Sequence, residues 1–485
     1  MRVQDMRRPF GVVSLLTIIL CYAFLKAANL STFTGDQGVY FYSGFLWSQG
    51  VMPYRDFFIS HPPIQLLIPT LTIFLTGVHL PFLQLLPAFF GALSGVLLLF
   101  LTWKTLGSLR AILSTALFLL SYATLLSTLH YTGQNLSTLL LLLSVFLFLR
   151  RQKFASGLLL GFAQSAGIHI LFPFLALSIL QFRWKKKNLP TFAGGFALST
   201  GAMHLLFTIL TGENFFRMVY LYHLKKPDAP AALVAKWQVM SQMLSGHLLL
   251  VALALFGVFL LWKSLRSEHG EGDPDKQRLL FLSATIAGTY LLYLSLIAPI
   301  FPHYFAPLMP FVAILAAEGI AKIGGSFFAL WKKGQKGGAL LAGVILILCF
   351  IASASRTLTY YSYEQRALAF ESAPEVAARI QKELRPDDTI FGDFGVVPTI
   401  ALLSDRRIAA NQVDSSVMRF ASGLYVLEDV IKAIEEDHVK AIITRKEKDI
   451  AYFPPFQEYL RTHYRLLETF TTPGRGVPIE LWLHL

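Results

Sequence analysis

Carboxylates are scarce in the first 353 residues of this 485-residue chain, so each can be weighed singly. There are ten: Asp5, Asp36, Asp56, Glu213, Asp228, Glu268, Glu271, Asp273, Asp275 and Glu318. Asp5, Glu268, Glu271, Asp273 and Asp275 fall in short segments rich in lysine and arginine. Glu318 stands near the end of an apolar run, placed to anchor it or to pair with Lys322. Four remain: Asp36, Asp56, Glu213 and Asp228. Asp36 lies in STFTGDQGVYFYSGFLW, just past the first apolar run. Its spacing leaves open whether it caps the next helix or serves function. Arg55, Asp56 and His61 follow in MPYRDFFISHPP. They can pair, cap a helix, or meet a charged substrate, with Asp56 a second candidate carboxylate. Lys225 and Lys226 suit contact with anionic lipid headgroups. No His, Cys, Asp or Glu cluster has convincing metal-ligand spacing. Asp387 and Asp388 read as a turn. GDFG, Gly392 to Gly395, lacks the other motifs of a phosphotransfer site.

The elements that must hold these residues are set by composition. With 54% hydrophobic and 15% charged residues and a mean hydropathy of +0.55, the chain cannot cover its apolar surface in water. Soluble, disordered and coiled-coil classes are excluded, which leaves an α-helical polytopic membrane protein. Apolar runs at about 10–30, 80–103, 110–129, 135–149, 190–210, 242–262, 279–298, 303–321 and 339–355 predict spanning helices. Residues 64–77 read as an interfacial helix, and 154–181 as two short helices meeting near Gln164, Gly167 and His169. That gives about 11 spans, with the N-terminus cytoplasmic and the C-terminus outside. Twenty of the 26 bases in residues 1–353 then lie on the inner side. The net charge of +13 is therefore a statement about orientation, and no nucleic-acid partner is expected. Cys21 and Cys349 fall within apolar runs and are expected to be free, buried thiols. Residues 1–355 form the membrane domain, with a first outer loop over about 30–79. Residues 356–485 carry helical and strand patterns (PEVAARIQKEL, DDTIFGDF, VLEDVIKAIEED, HVKAIITR, YRLLETF, PIELWLHL) and predict a small extracytoplasmic α/β domain.

Taken in order, an aspartate after the first span, a tyrosine-rich helix, MPYRDFF, and then HPP opening an apolar helix resemble the GT-C superfamily of membrane glycosyltransferases. The nearest pattern is that of bacterial relatives of dolichyl-phosphate-mannose–protein mannosyltransferase. PHYFAPLMPFVAILAAEG, with His303 and Tyr304, resembles a late helix of that group. The resemblance implies transfer of a sugar from a polyprenyl-phosphate carrier in a bacterial inner membrane to a glycan, lipid or protein acceptor on the outer face. It implies Asp36 as the catalytic carboxylate and inversion at the anomeric carbon. Arg55, His61, Arg217, Lys225, His303 and Tyr304 would then face the carrier phosphate. The donor is the only small molecule it requires; a divalent metal has no support in the residues. Two departures stand out: Gln37 replaces the acid that often follows the first aspartate, and the next outer loop, LHYTGQN, carries no carboxylate. Asp56 or Glu213 could supply that second acid, or His130, Tyr131 and Gln134 could bind substrate in its place. The other class open to such a chain is a lipid or glycan transporter that forms no glycosidic bond.

Overall fold

An apolar run in hydrocarbon must satisfy its own backbone hydrogen bonds, so each long run here becomes a helix. The computed structural model describes residues 7–27, 35–225, 230–266, 273–446, 448–471 and 477–485. Lys226 and Asp228 lie outside them. The chain opens with α1 (Arg7–Ala27), α2 (Gly35–Ser48), α3 (Pro63–Thr76) and α4 (Leu80–Leu106). It continues through α5 (Ser108–Leu119), α6 (Tyr122–Ser127), α7 (Gly133–Leu149), α8 (Lys153–Gln164), α9 (Leu171–Lys185) and α10 (Leu189–Thr211). Two short helices, α11 (Asn214–Phe216) and α12 (Tyr222–Lys225), flank a π-helical turn at Arg217–Leu221. The membrane bundle closes with α13 (Pro230–Gly246), α14 (Leu248–Arg266), α15 (Pro274–Leu296), α16 (Met309–Lys332) and α17 (Lys336–Leu368). Among the described residues six helical stretches are long and apolar enough to cross a membrane, and four shorter apolar helices accompany them. The chain is a multi-pass membrane protein.

Several expectations change. The run at 110–129 is not one helix. It breaks at Leu120–Ser121, because Ser121 adopts an extended backbone and its hydroxyl accepts from the Thr124 amide, capping α6. Cys21 and Cys349 are free but exposed, since both point out of the bundle. Glu318 does not pair with Lys322. Its two carboxylate oxygens take Arg110 Nε and Lys276 Nζ, each at 2.6 Å, tying α5 and α15 to α16. The segment at 154–181 does divide, into α8 and α9 around Ser165–Gly167.

Beyond α17, α18 (Ala373–Glu383) leads into β1 (Thr389–Gly392), α19 (Val397–Ser404) and β2 (Arg407–Ile408). Then come α20 (Val417–Ala421), α21 (Leu427–Glu436), β3 (Ala441–Arg445), α22 (Pro454–His463), β4 (Tyr464–Phe470) and β5 (Ile479–His484). The sheet order is β2-β1-β3-β5-β4. β1 pairs in parallel with β2 and β3, while β5 runs antiparallel between β3 and β4. One face of this sheet shares a continuous apolar core with α2, α3 and the region around the π-helical turn. The join is close. A Cβ on Gly38 of α2 would strike the Thr399 hydroxyl of α19, and Tyr42 Oη accepts from the Ile408 amide at 2.8 Å.

Candidate active site

α2 carries the first site residue in its first turn. Asp36 is exposed at the positive end of that helix, where the aligned backbone dipoles favour a carboxylate. One turn later Tyr40 is buried, with its Oη 3.1 Å from His61 Nε2. Burial, and after it the Asp36 carboxylate, hold the Tyr40 phenol well above its ordinary pKa, so it stays protonated and able to donate. His61 is set by its own loop: Tyr54 Oη donates to the His61 carbonyl at 2.6 Å, and Pro62 and Pro63 then start α3. His223, whose ring is 6.4 Å from that of His61, donates from Nε2 to the Ser60 carbonyl at 2.9 Å.

The second loop arrives on Gln37. This residue is buried, and its Oε1 accepts from the Tyr131 amide at 3.1 Å. The position that departs from the acidic pattern thus anchors a loop. Tyr131 Oη in turn donates to the Gln65 carbonyl at 2.6 Å, and Asn135 Nδ2 donates to the Ser127 carbonyl at 2.8 Å. His130 is left with its ring 5.3 Å from that of His303, edge to face, and with a buried Nδ1 that has no partner. Burial, with a smaller contribution from Lys26, drives the His130 pKa down to about 4, so the ring is neutral. His303 stacks on Phe301, its neighbour Tyr304 lies 4.8 Å from it, and Tyr304 feels the Asp36 carboxylate.

Tyr40 therefore meets His61, His130 meets His303 and Tyr304 beside it, and Gln37, next to Asp36, fastens the His130 loop to α2. Arg55 and Asp56 instead form a bidentate pair at 2.8 Å on an exposed bend; hydrogen bonding to Arg55 pulls the Asp56 carboxyl below its usual range. Arg217 turns to the C-terminal sheet domain, donating to the Leu424 carbonyl at 2.7 Å. Lys225 and Glu213 are exposed. Residues near each other in sequence could be read from it; the His61–Tyr40 and His130–His303 contacts could not, although HYTGQN already drew notice for its side-chain types.

A cavity of about 630 Å³ lies between α13, α14, α15 and α16. Phe305, Leu308 and Met309, which follow Tyr304 in the chain, line it together with Leu255, Ala287 and Val312. Among the described residues no three His, Cys, Asp or Glu side chains converge as metal ligands. The arrangement offers an exposed carboxylate, a buried Tyr40–His61 pair one turn on, and a separate apolar cavity in the bundle. That suits proton abstraction from a hydroxyl next to an anionic headgroup with a hydrocarbon tail.

No family model matches the chain, and no curated protein sequence does. Solved structures do match. ArnT from Cupriavidus metallidurans bound to undecaprenyl phosphate gives a TM-score of 0.64 at 13% identity, covering 97% of both chains. The same protein in the apo state gives 0.63 at 12%, covering 96% of this chain and 97% of that one. The apo oligosaccharyltransferase of Archaeoglobus fulgidus gives 0.53 at 11%, covering 91% of this chain and 70% of that one. At 11–13% identity the likeness is one of fold.

Proposed function

We propose that this chain, which shares the GT-C fold, is an integral-membrane glycosyltransferase that moves a sugar from a polyprenyl-phosphate carrier to an acceptor on the extracytoplasmic face. The single observation that carries this reading is the exposed Asp36 carboxylate in the first turn of α2, one turn before the Tyr40–His61 pair and next to Gln37, which holds the loop bearing His130. In this reading the carrier's phosphate meets the polar groups and its hydrocarbon the apolar bundle. Undecaprenyl phosphate bound to a protein of the same fold supports that class of donor.

In this reading the acceptor hydroxyl attacks the anomeric carbon while Asp36 takes its proton. The bond from that carbon to the phosphate oxygen breaks on the opposite side, and one displacement inverts the centre. Arg55 is engaged by Asp56, Arg217 by Leu424, and Lys225 stands on the surface. Contacts to the leaving phosphate fall instead to His61, His130, His303 and Tyr304, donors already in place when charge develops. The helices up to and including α17 form the catalytic membrane domain, and the sheet with its helices the outer domain that covers it.

The test uses the full chain in membranes with a radiolabelled polyprenyl-phosphate sugar, followed by thin-layer analysis. Asp36→Asn and Asp36→Ala are expected to lower transfer by about 100-fold or more. Full transfer by either folded variant overturns the assignment of Asp36. Movement of the lipid with no new glycosidic bond identifies a transporter instead.

A further inference from the structure

A buried guanidinium needs acceptors for its N–H groups, because desolvation leaves an unmade bond uncompensated. Arg419, in α20, is 6% exposed. Its hydrogen bonds among the described residues are made from Nη1, to Gln412 Oε1 at 2.6 Å and to the Asp414 carbonyl at 2.7 Å. Its Nε is buried without a partner. Nε and Nη2 form the edge that grips a carboxylate or phosphate with two parallel bonds, so the recognition edge is the one left over. Asp414 and Asp429 supply negative charge around this arginine, but Asp414 Oδ1 is taken by the Ser416 amide at 2.9 Å. Charge is balanced at longer range while hydrogen-bonding capacity is not.

The surroundings are built to hold the guanidinium still. It lies 4.8 Å from the Phe58 ring and 4.7 Å from the Tyr425 ring. The Tyr425 hydroxyl is itself buried without a partner. Arg217 lies 5.4 Å from the same Tyr425 ring, fixed by its bond to Leu424. Two guanidinium groups and one unpaired phenol thus converge where the first long loop, the π-helical turn and the C-terminal sheet domain meet. A run of ring contacts leads from here toward His61: Phe58 to Tyr222 at 5.3 Å, Tyr222 to His223 at 5.2 Å, and His223 to His61 at 6.4 Å between centroids.

We propose that Arg419, Tyr425 and Arg217 form an anion subsite that holds a phosphate or carboxylate group of the acceptor while its hydroxyl is presented to Asp36. The subsite depends on the glycosyltransferase reading for its role, though not for its ability to bind an anion. The C-terminal domain then supplies acceptor recognition, and the membrane domain supplies the donor and the base.

The test is thermal unfolding of the full chain in detergent, titrated with inorganic phosphate against chloride at equal ionic strength. Phosphate is expected to stabilise the wild type, and Arg419→Met to weaken phosphate at least about tenfold. Lys432→Gln, which removes an exposed cation of α21, is expected to leave the response intact. An undiminished response in Arg419→Met overturns the subsite. If that variant does not fold, Tyr425→Phe, which keeps the ring and deletes the unpaired hydroxyl, decides in the same way. Saturation with undecaprenyl phosphate is expected to leave the Arg419-dependent response in place; its loss overturns the assignment to the acceptor and gives the anion to the carrier. A response that depends on Arg419, together with full transfer by Asp36→Asn, overturns the general-base reading and leaves the subsite standing.

Discussion

His130 shows what one buried side chain does to the whole. Its ring is 5% exposed, its Nδ1 lacks a partner, and its pKa falls to about 4. In the unfolded chain the same ring titrates near its ordinary value of about 6.5. Between those values the unfolded state takes up a proton that the folded state refuses. Stability therefore falls as pH drops through that window, by on the order of 3 kcal/mol, and is level on either side. Unfolding in detergent at a series of pH values checks this: His169 and His247 are buried too and His303 is half-buried, so His130→Gln is expected to reduce the slope by one proton's share. An unchanged slope places the titration elsewhere. Gln37 is the complementary case. Its type looked like a loss of chemistry, yet its side chain holds the Tyr131 amide and so sets where His130 stands. Asp56 was equally eligible with Asp36 by residue type. The Arg55 pair on an exposed bend separates them, since a carboxylate held by a guanidinium is a poor proton acceptor.

Helices in a membrane gain little from apolar contact with one another, so a few polar ties carry much of their specificity. The Glu318 carboxylate, bridging α5, α15 and α16, is one such tie. Glu318→Gln keeps the shape but removes the charge that Arg110 and Lys276 share. Both bases are about a third exposed, so the loss is expected to be about 1–3 kcal/mol, less than for a fully buried pair. A melting temperature indistinguishable from wild type in the same detergent contradicts this. The break between α5 and α6 belongs to this scale as well. Hydropathy runs unbroken from 110 to 129, so composition predicts one span; a single hydroxyl at Ser121, offered to the Thr124 amide, ends it. Beyond this break the chain brings His130 to His303.

For the molecule as a whole, the decisive contact is between the sheet domain and the membrane bundle. Tyr42, on α2, reaches across to the Ile408 amide of β2, and the two parts share one apolar core. Tyr42→Phe leaves that amide buried and unpaired, at an expected cost of about 1–3 kcal/mol. Limited proteolysis should then cut the C-terminal region faster than in wild type; equal rates sink the idea that this bond fastens the two parts. Much of the architecture was readable from the chain alone. Membrane character, the apolar runs, the helix and strand types beyond residue 370, and the isolation of Asp36 and the HPP step all rest on composition and short-range periodicity. Those properties are local, and each residue carries its share of them. The tertiary structure alone decided which cations reach the site and which do not. It turned Arg217 from the carrier to Leu424, and it brought Tyr40 to His61 and Arg419 to Phe58. Such pairs join residues far apart in the chain, and their meeting depends on how helices close against one another and against the sheet. No local pattern encodes that closure, because it is fixed by packing and by the few hydrogen bonds that packing leaves to be made.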